Sequence, residues 1–355
     1  MSRSSKHAVA TILFYDITKA DYNLFENYFI LSLLLAKKIK QLKVTSETKF
    51  DSIVYIDKPT FAQLKTIDKL DDLVKSYDQV IISNDHEAYF LKLELWKSVS
   101  NYSSIIYLDS DCYIKSDKSL DLFFEEALAT NEPIVACNET TWPDMFNTGA
   151  FAINQKTAMS YDKIIDEATS FNTLCNSNSE EVELYDNLDQ GLLNYVFSDS
   201  WKNVSYVFNV QVRGGGSSAS SSYYGSSSET YFIASSATPS KDDSTNPENE
   251  SHFDTGYFTY ANSVSKSNKK NKFLNKALIV QFMDKPWQSG FMDHVAPDYY
   301  SSFMKMKHDM NKNKAVKVVV EEKKTDISLK KKEPEFEFPW ENYKNYPTSN
   351  TREWR

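Results

Sequence analysis

Residues 104–111 read Ser-Ile-Ile-Tyr-Leu-Asp-Ser-Asp. Ser104–Leu108 is a short apolar run of β-forming residues, the pattern of a buried strand. It passes directly into Asp109-Ser110-Asp111. Two carboxylates two residues apart, on a turn leaving such a strand, can both face a hard cation. Oxygen ligands of this kind suit Mg2+ or Mn2+, which commonly bridge to substrate phosphates. A DxD tripeptide alone is a weak signal and reads as a solvated turn in so acidic a chain; the apolar strand before it brings the functional reading level with that one.

Working outward, Ala8–Tyr15, Ser52–Asp57, Gln79–Ile82, Pro133–Cys137, Thr148–Ile153 and Lys276–Phe282 read as further strands. Tyr22–Leu42 carries Phe25, Tyr28, Phe29, Leu31, Leu34, Leu35 and Ile39 at helical spacing. Phe61–Leu73, Ala88–Ser100, Leu120–Thr130, Ala158–Ser170 and Asp189–Val196 also read as helices. Strands alternating with helices predict an α/β fold with a largely parallel sheet and helices on both faces. Ligands of such sheets bind outside the carboxyl ends of the strands. That puts Tyr15, Asp16 and the Asp109–Asp111 turn on one rim.

Composition narrows the class. The 355 residues are 41% hydrophobic and 14% aromatic, enough for a sizeable core. Eight glycines, three of them together at Gly214–Gly216, leave no Gly-rich dinucleotide fingerprint. A net charge of −9 argues against a nucleic-acid partner. The lysine-rich runs at Lys269–Lys272 and Lys323–Lys332 read as solvated linker. Three scattered cysteines, Cys112, Cys137 and Cys175, predict reduced thiols. Met1–Lys6 lacks a signal-peptide pattern and no apolar run is long enough for a bilayer, so the expectation is a cytosolic chain with no membrane partner.

Three further blocks follow the acidic turn. Trp142-Pro143-Asp144-Met145-Phe146-Asn147-Thr148-Gly149 leads into an apolar strand. Asp186-Asn187-Leu188-Asp189-Gln190-Gly191-Leu192-Leu193-Asn194 comes next, then Val280-Gln281-Phe282-Met283-Asp284-Lys285-Pro286-Trp287. The order DxD, FNTGxF, DQGxLN, xFxxKPW resembles the glycogenin branch of the retaining family 8 glycosyltransferases. Leu91-Lys92-Leu93-Glu94-Leu95-Trp96 is similar to the family's TKLxxW segment. Phe336-Glu337-Phe338-Pro339-Trp340-Glu341 resembles the tail by which fungal members dock glycogen synthase. The resemblance covers roughly residues 8–210 and 276–287, plus this tail.

The resemblance implies a single GT-A-like, Rossmann-type nucleotide-sugar-binding domain with a mixed, mostly parallel sheet. This domain would span 1–300, with a disordered Ser-rich insertion at 213–272, a charged linker at 301–333 and a docking tail at 334–355. The implied activity is metal-dependent transfer of glucose from UDP-glucose to the chain's own tyrosine, priming glycogen. Asp109 and Asp111 would hold Mn2+ or Mg2+, with Gln281 as third ligand. Lys92 would contact the donor's phosphate or sugar. Asn147, Thr148 and Gly149 would line the donor-sugar pocket, and Asp186, Asp189 and Gln190 would hold the glucose and the reacting centre. Lys285 would reach the diphosphate, and Thr11 and Tyr15 would lie near the uracil. A cation and a lysine fixed beforehand against developing charge lower the barrier. A carboxylate near the sugar can stabilise oxocarbenium character.

The chain departs from the family at two points. The family usually has His where Gln281 stands, and Asp284 replaces a glycine before the lysine. A weakened site, a site in which Asp284 takes the metal, and a non-catalytic scaffold recruiting glycogen synthase remain open. Reduced or altered activity is the expectation adopted. A transferase acting on a lipid or another sugar is a third reading. Acceptor candidates are Tyr223, Tyr224, Tyr257 and Tyr260, with Tyr224 and Tyr260 preferred. The aromatic tail, Phe336 to Tyr346 and Trp354, predicts a docking peptide for glycogen synthase. Transfer between subunits in the family implies a homodimer.

Overall fold

The computed structural model describes residues 6–19, 21–139, 144–176, 188–214, 230–235, 259–265, 276–282 and 296–322, with the backbone alone for 212–214, 230–235, 259–265 and 313–322. Within them the chain runs β1 (His7–Leu13), α1 (Tyr22–Thr45), β2 (Phe50–Ile56), α2 (Lys58–Thr66), α3 (Leu70–Ser76), β3 (Gln79–Ile82), a 3-10 segment (Ala88–Leu93), α4 (Glu94–Ser98) and β4 (Ser104–Leu108). It continues through β5 (Cys112–Ile114), α5 (Ser119–Leu128), β6 (Ile134–Asn138), β7 (Phe146–Asn154), α6 (Tyr161–Asn176), α7 (Asp189–Val196), β8 (Trp201–Asn203), β9 (Val210–Gly214), β10 (Thr230–Ser235), β11 (Thr259–Ser265), β12 (Ile279–Phe282) and α8 (Pro297–Glu322).

Among the described residues, seven strands form a sheet ordered β3-β2-β1-β4-β7-β6-β8. β7 runs antiparallel to both its neighbours and every other pair is parallel. The largely parallel α/β sheet expected from the alternating pattern is the one found, with the antiparallel strand that the mixed sheet of the family resemblance implied. A second sheet, β11-β10-β9-β12-β5, lies beyond the end of β4. β4 shows why its sequence is apolar throughout. Ile105 and Tyr107 pack with Trp96 and Phe151 on one face, while Ile106 and Leu108 pack with α1 and α5 on the other. A strand covered on both faces needs no polar alternation.

Several expected elements differ. The single helix over Phe61–Leu73 is two, α2 and α3. Asp68 adopts φ 57 between them, Lys69 N donates to Leu64 O at 2.8 Å, and Asp68 N donates to Lys65 O at 3.1 Å. This is a helix-ending Schellman pair, and a short polar side chain tolerates its left-handed residue. Ala88–Ser100 is not one α-helix: it begins and ends as 3-10 turns around the short α4. β9 to β11 place strands at the start of and within the stretch read as a disordered insertion. The domain boundary at residue 300 falls inside α8, which runs to Glu322 through most of the stretch read as charged linker. Tyr299, Phe303, Met306 and Met310 recur at helical spacing there and pack against the α1 core. The tail from 334 onward lies outside the described residues.

Candidate functional site

The topology brings the motifs together. β1 and β4 are parallel neighbours, so their carboxyl ends share a rim. β7 runs back along β4 with Leu108 opposite Ala150, returning Phe146–Gly149 to that rim. Asp109 N donates to Gly149 O at 2.7 Å. β12 pairs with β5, Gln281 opposite Cys112, and Phe282 N donates to Asp111 O at 3.2 Å. Asn194 fastens α7 to the start of β7: its Oδ1 accepts Phe146 N at 2.7 Å and its Nδ2 donates to Phe146 O at 2.8 Å.

Lys92 stands at the centre, 3% exposed. Its ammonium lies 2.6 Å from Asp189 Oδ2 and 3.3 Å from Asp109 Oδ1. It donates to Thr148 O at 2.9 Å and sits 4.8 Å above the Tyr107 ring centroid. Thr148 Oγ1 donates to the same Asp189 oxygen at 2.8 Å, and Thr148 N donates to Gln190 Oε1 at 3.3 Å. Asp189 opens α7, where the helix dipole favours a carboxylate. Burial works against the Lys92 charge, but Asp109 and Asp189 outweigh it and raise the pKa above the ordinary lysine value. Burial raises the Asp109 carboxyl, with Lys92 and the Tyr107 hydroxyl opposing. Tyr107 donates to Asp109 Oδ1, and burial together with that carboxylate raises its phenol.

Asn147 is 2% exposed and engaged at both ends of its amide. Its Nδ2 donates to Glu139 Oε2 at 2.7 Å, and its Oδ1 accepts from Gly149 N and Asn209 Nδ2, both at 2.8 Å. Gly149 leaves room for its neighbour: a Cβ there would lie 2.0 Å from Gln281 Nε2, so the amide end of that side chain would have to move. Thr11 is buried within β1, two residues short of its end. Tyr15 is two residues beyond β1, its N donating to Thr60 Oγ1 at 2.7 Å and its ring edge-on to Phe25 at 5.3 Å. Asp186, Lys285, Tyr223, Tyr224 and Tyr257 lie outside the described residues, and Tyr260 is described only as backbone of β11.

Sequence reasoning passed over Tyr107, Glu139, Asn194 and Asn209. Tyr107 could have been found as the polar-tipped aromatic in β4, two before Asp109. Asn194 closed a quoted motif without being singled out. Glu139 and Asn209 carried no local signal.

The described residues hold no group of three or more His, Cys, Asp or Glu side chains suited to a metal. Asp109, Asp111 and Gln281 offer oxygen donors instead. Gln281 is 5% exposed, its Nε2 lies 3.4 Å from Asp109 Oδ2, and its Oε1 accepts no hydrogen bond from the described residues. A buried amide oxygen without a partner beside carboxylates fits a hard divalent cation.

Residues 22–233, more than half of the chain, match Glycosyl transferase family 8. The chain belongs to this family. Within family 8 it is glycogenin-like. It is 27% identical to mouse glycogenin-1 over 191 residues, 50% of this chain and 51% of the mouse protein. It is 27% identical to glycogenin-1 of Saccharomyces cerevisiae S288c over 136 residues, 34% of this chain and 20% of the yeast protein. The chain thus spans about half, or less, of these relatives. In backbone it is similar to the galactosyltransferase LgtC solved with donor and acceptor sugar analogs, at 11% identity and a TM-score of 0.45, covering 82% of this chain and 95% of that one. Likeness to GlyE of Streptococcus pneumoniae TIGR4 is at 15% identity and a TM-score of 0.44, covering 84% and 63%. Among the described residues no helix is long and apolar enough to cross a membrane.

Proposed function

We propose that this family 8 chain transfers glucose from UDP-glucose to one of its own tyrosines and extends a short glucan there, with a divalent cation held by Asp109, Asp111 and Gln281. The observation that carries this reading is the convergence of Lys92, Asp109, Thr148 and Asp189 on one rim, with Gln281 beside them. When bound, the cation supplies Lewis-acid stabilisation of the leaving diphosphate.

The chain's own residues do the rest. Lys92 holds the Asp109 and Asp189 side chains in place, so that neither reorganises as charge develops. Two donors fix Asp189 Oδ2, which leaves Oδ1 to accept from a sugar hydroxyl and to stabilise positive character at the anomeric carbon. Gln190 commits its carbonyl to Thr148 N and keeps its amide donors for the transferred sugar. Lys285 and Asp186 are assigned to diphosphate and glucose, Thr11 and Tyr15 to the base side, and Tyr224 or Tyr260 to the acceptor. In all these roles the motif resemblance is the support.

Incubation of the full chain with UDP-glucose and Mn2+, followed by intact mass and peptide mapping, tests this. The expected result is a ladder of hexose additions on a tyrosine, absent in Asp111→Asn. No ladder, or the same rate in both proteins, rejects it.

A second reading is favoured by Gln281, an amide where the family usually has His, and by Lys92 already neutralising part of Asp109. In it the chain is a weakened member that recruits glycogen synthase through Phe336–Tyr346. UDP binding that does not respond to Mn2+, with synthase capture lost on truncation after Lys332, would select this reading.

A further inference from the structure

Asp57 follows the last residue of β2 and is 2% exposed. Its Oδ1 accepts Thr60 N at 2.8 Å, which caps α2. A helix cap needs only one oxygen. The other, Oδ2, accepts Ala88 N at 3.1 Å, across 31 residues of chain. Ala88 has φ 50. The left-handed region is unfavourable for a residue with a Cβ, and such backbone persists only where its surroundings over-determine it. Ala88 opens the 3-10 segment that carries Tyr89 and Lys92.

The same carboxylate reaches the opposite loop. Thr60, fully buried, is held by Asp57 through its amide and accepts Tyr15 N at 2.7 Å through its hydroxyl. Phe14 then meets Tyr89 edge-on, ring centroids 4.7 Å apart. The loop after β1 and the segment bearing Lys92 are therefore tied to one side chain that touches neither Asp109 nor Asp189. Burial raises the Asp57 carboxyl and the backbone donors oppose it.

We infer that Asp57 is a positioning residue: by accepting Ala88 N it holds the strained entry to the 3-10 segment and so sets where Lys92 meets Asp109 and Asp189. The catalytic side of this inference rests on the transfer reading above, while its structural side does not.

The experiment compares wild type, Asp57→Ser, Asp57→Ala and Asp57→Ser/Ala88→Gly as full chains. Hydrogen exchange by mass spectrometry reports local opening without any turnover. Serine still caps α2 but has no second oxygen for Ala88. Asp57→Ser is expected to speed exchange about tenfold over residues 88–96, with 58–62 protected as in wild type. Asp57→Ala is expected to open 14–19 as well. Glycine accepts positive φ without strain, so Ala88→Gly in the serine background should restore protection over 88–96.

In turnover of UDP-glucose, a misplacement of ~1 Å can cost about 100-fold. A fall of about tenfold, mostly in kcat, is expected for Asp57→Ser, with recovery in the double variant. Exchange changes confined to 58–62, or no change over 88–96 in Asp57→Ser, would overturn the inference. Wild-type turnover failing while the exchange pattern holds would instead count against the transfer reading alone.

Discussion

Replacing Lys92 by methionine is the sharpest test of the site's electrostatics. Methionine approximates the lysine stem in volume, so packing against the Tyr107 ring is largely kept. What is lost is the charge between Asp189 at 2.6 Å and Asp109 at 3.3 Å, at a position 3% exposed. Removing one partner of a buried ion pair costs about 3–5 kcal/mol, because the charge left behind has no compensation. Here two carboxylates are left facing one another. For a domain of this size, such a loss lowers Tm by roughly 10 °C.

The pH dependence has a definite sign. Burial already holds the Asp109 pKa above its ordinary value of 3.8, so the native state binds a proton more readily than the unfolded chain. Ionising Asp109 therefore costs stability. That cost is fully present above its raised pKa and disappears as pH falls through it towards 3.8. Without Lys92 the cost is larger and begins at higher pH. The gap in Tm between wild type and Lys92→Met should be widest near pH 8 and narrow as pH falls, measured by scanning calorimetry. A destabilisation below about 1 kcal/mol, or a Tm gap that stays flat with pH, would refute the view that Lys92 is the counter-ion of both carboxylates.

Gly149→Ala should destabilise by about 1–3 kcal/mol through overpacking, since the new Cβ would meet the Gln281 amide at 2.0 Å; Gln281→Ala in the same chain should recover most of the loss in urea melts. Asn194→Ala leaves Phe146 N and O without their partners, and its unfolding free energy should fall by about 2–4 kcal/mol, with Asn194→Asp intermediate. His7 is 4% exposed beside Ser104 Oγ at 2.8 Å, and burial lowers its pKa below 6.5. The unfolded chain then takes up a proton that the native ring does not, so stability falls as pH drops through 6.5; His7→Gln should show a shallower fall in urea midpoint between pH 7 and 5.5.

The parallel part of the sheet was legible because β1, β2 and β4 are buried on both faces and so spell apolar runs. Asp109 was legible for the same reason, since an abrupt carboxylate after such a run is conspicuous. β5 was not, having only three residues and existing through its pairing with β12. No local pattern encodes a partner more than 160 residues away. α8 was hidden by lysines on its outer face, although its apolar rhythm was present in the sequence. Ala88 looked like the start of an ordinary helix, and only the distant Asp57 explains its φ of 50.

Lys92 illustrates a subtler limit. Motif context singled it out, but residue type alone did not say whether its charge points at a ligand or at the protein. In the structure its ammonium is spent on Asp109, Asp189 and Thr148. Two carboxylates, Asp109 and Asp189, share this one ammonium, a formal excess of one negative charge. That excess repels a bare diphosphate and favours a cation beside it. As a ligand Gln281 would bring an oxygen without charge, so the balance rests on the carboxylates and Lys92. On this reasoning Lys92 is less a grip on the donor than the counter-ion of the two carboxylates that flank it.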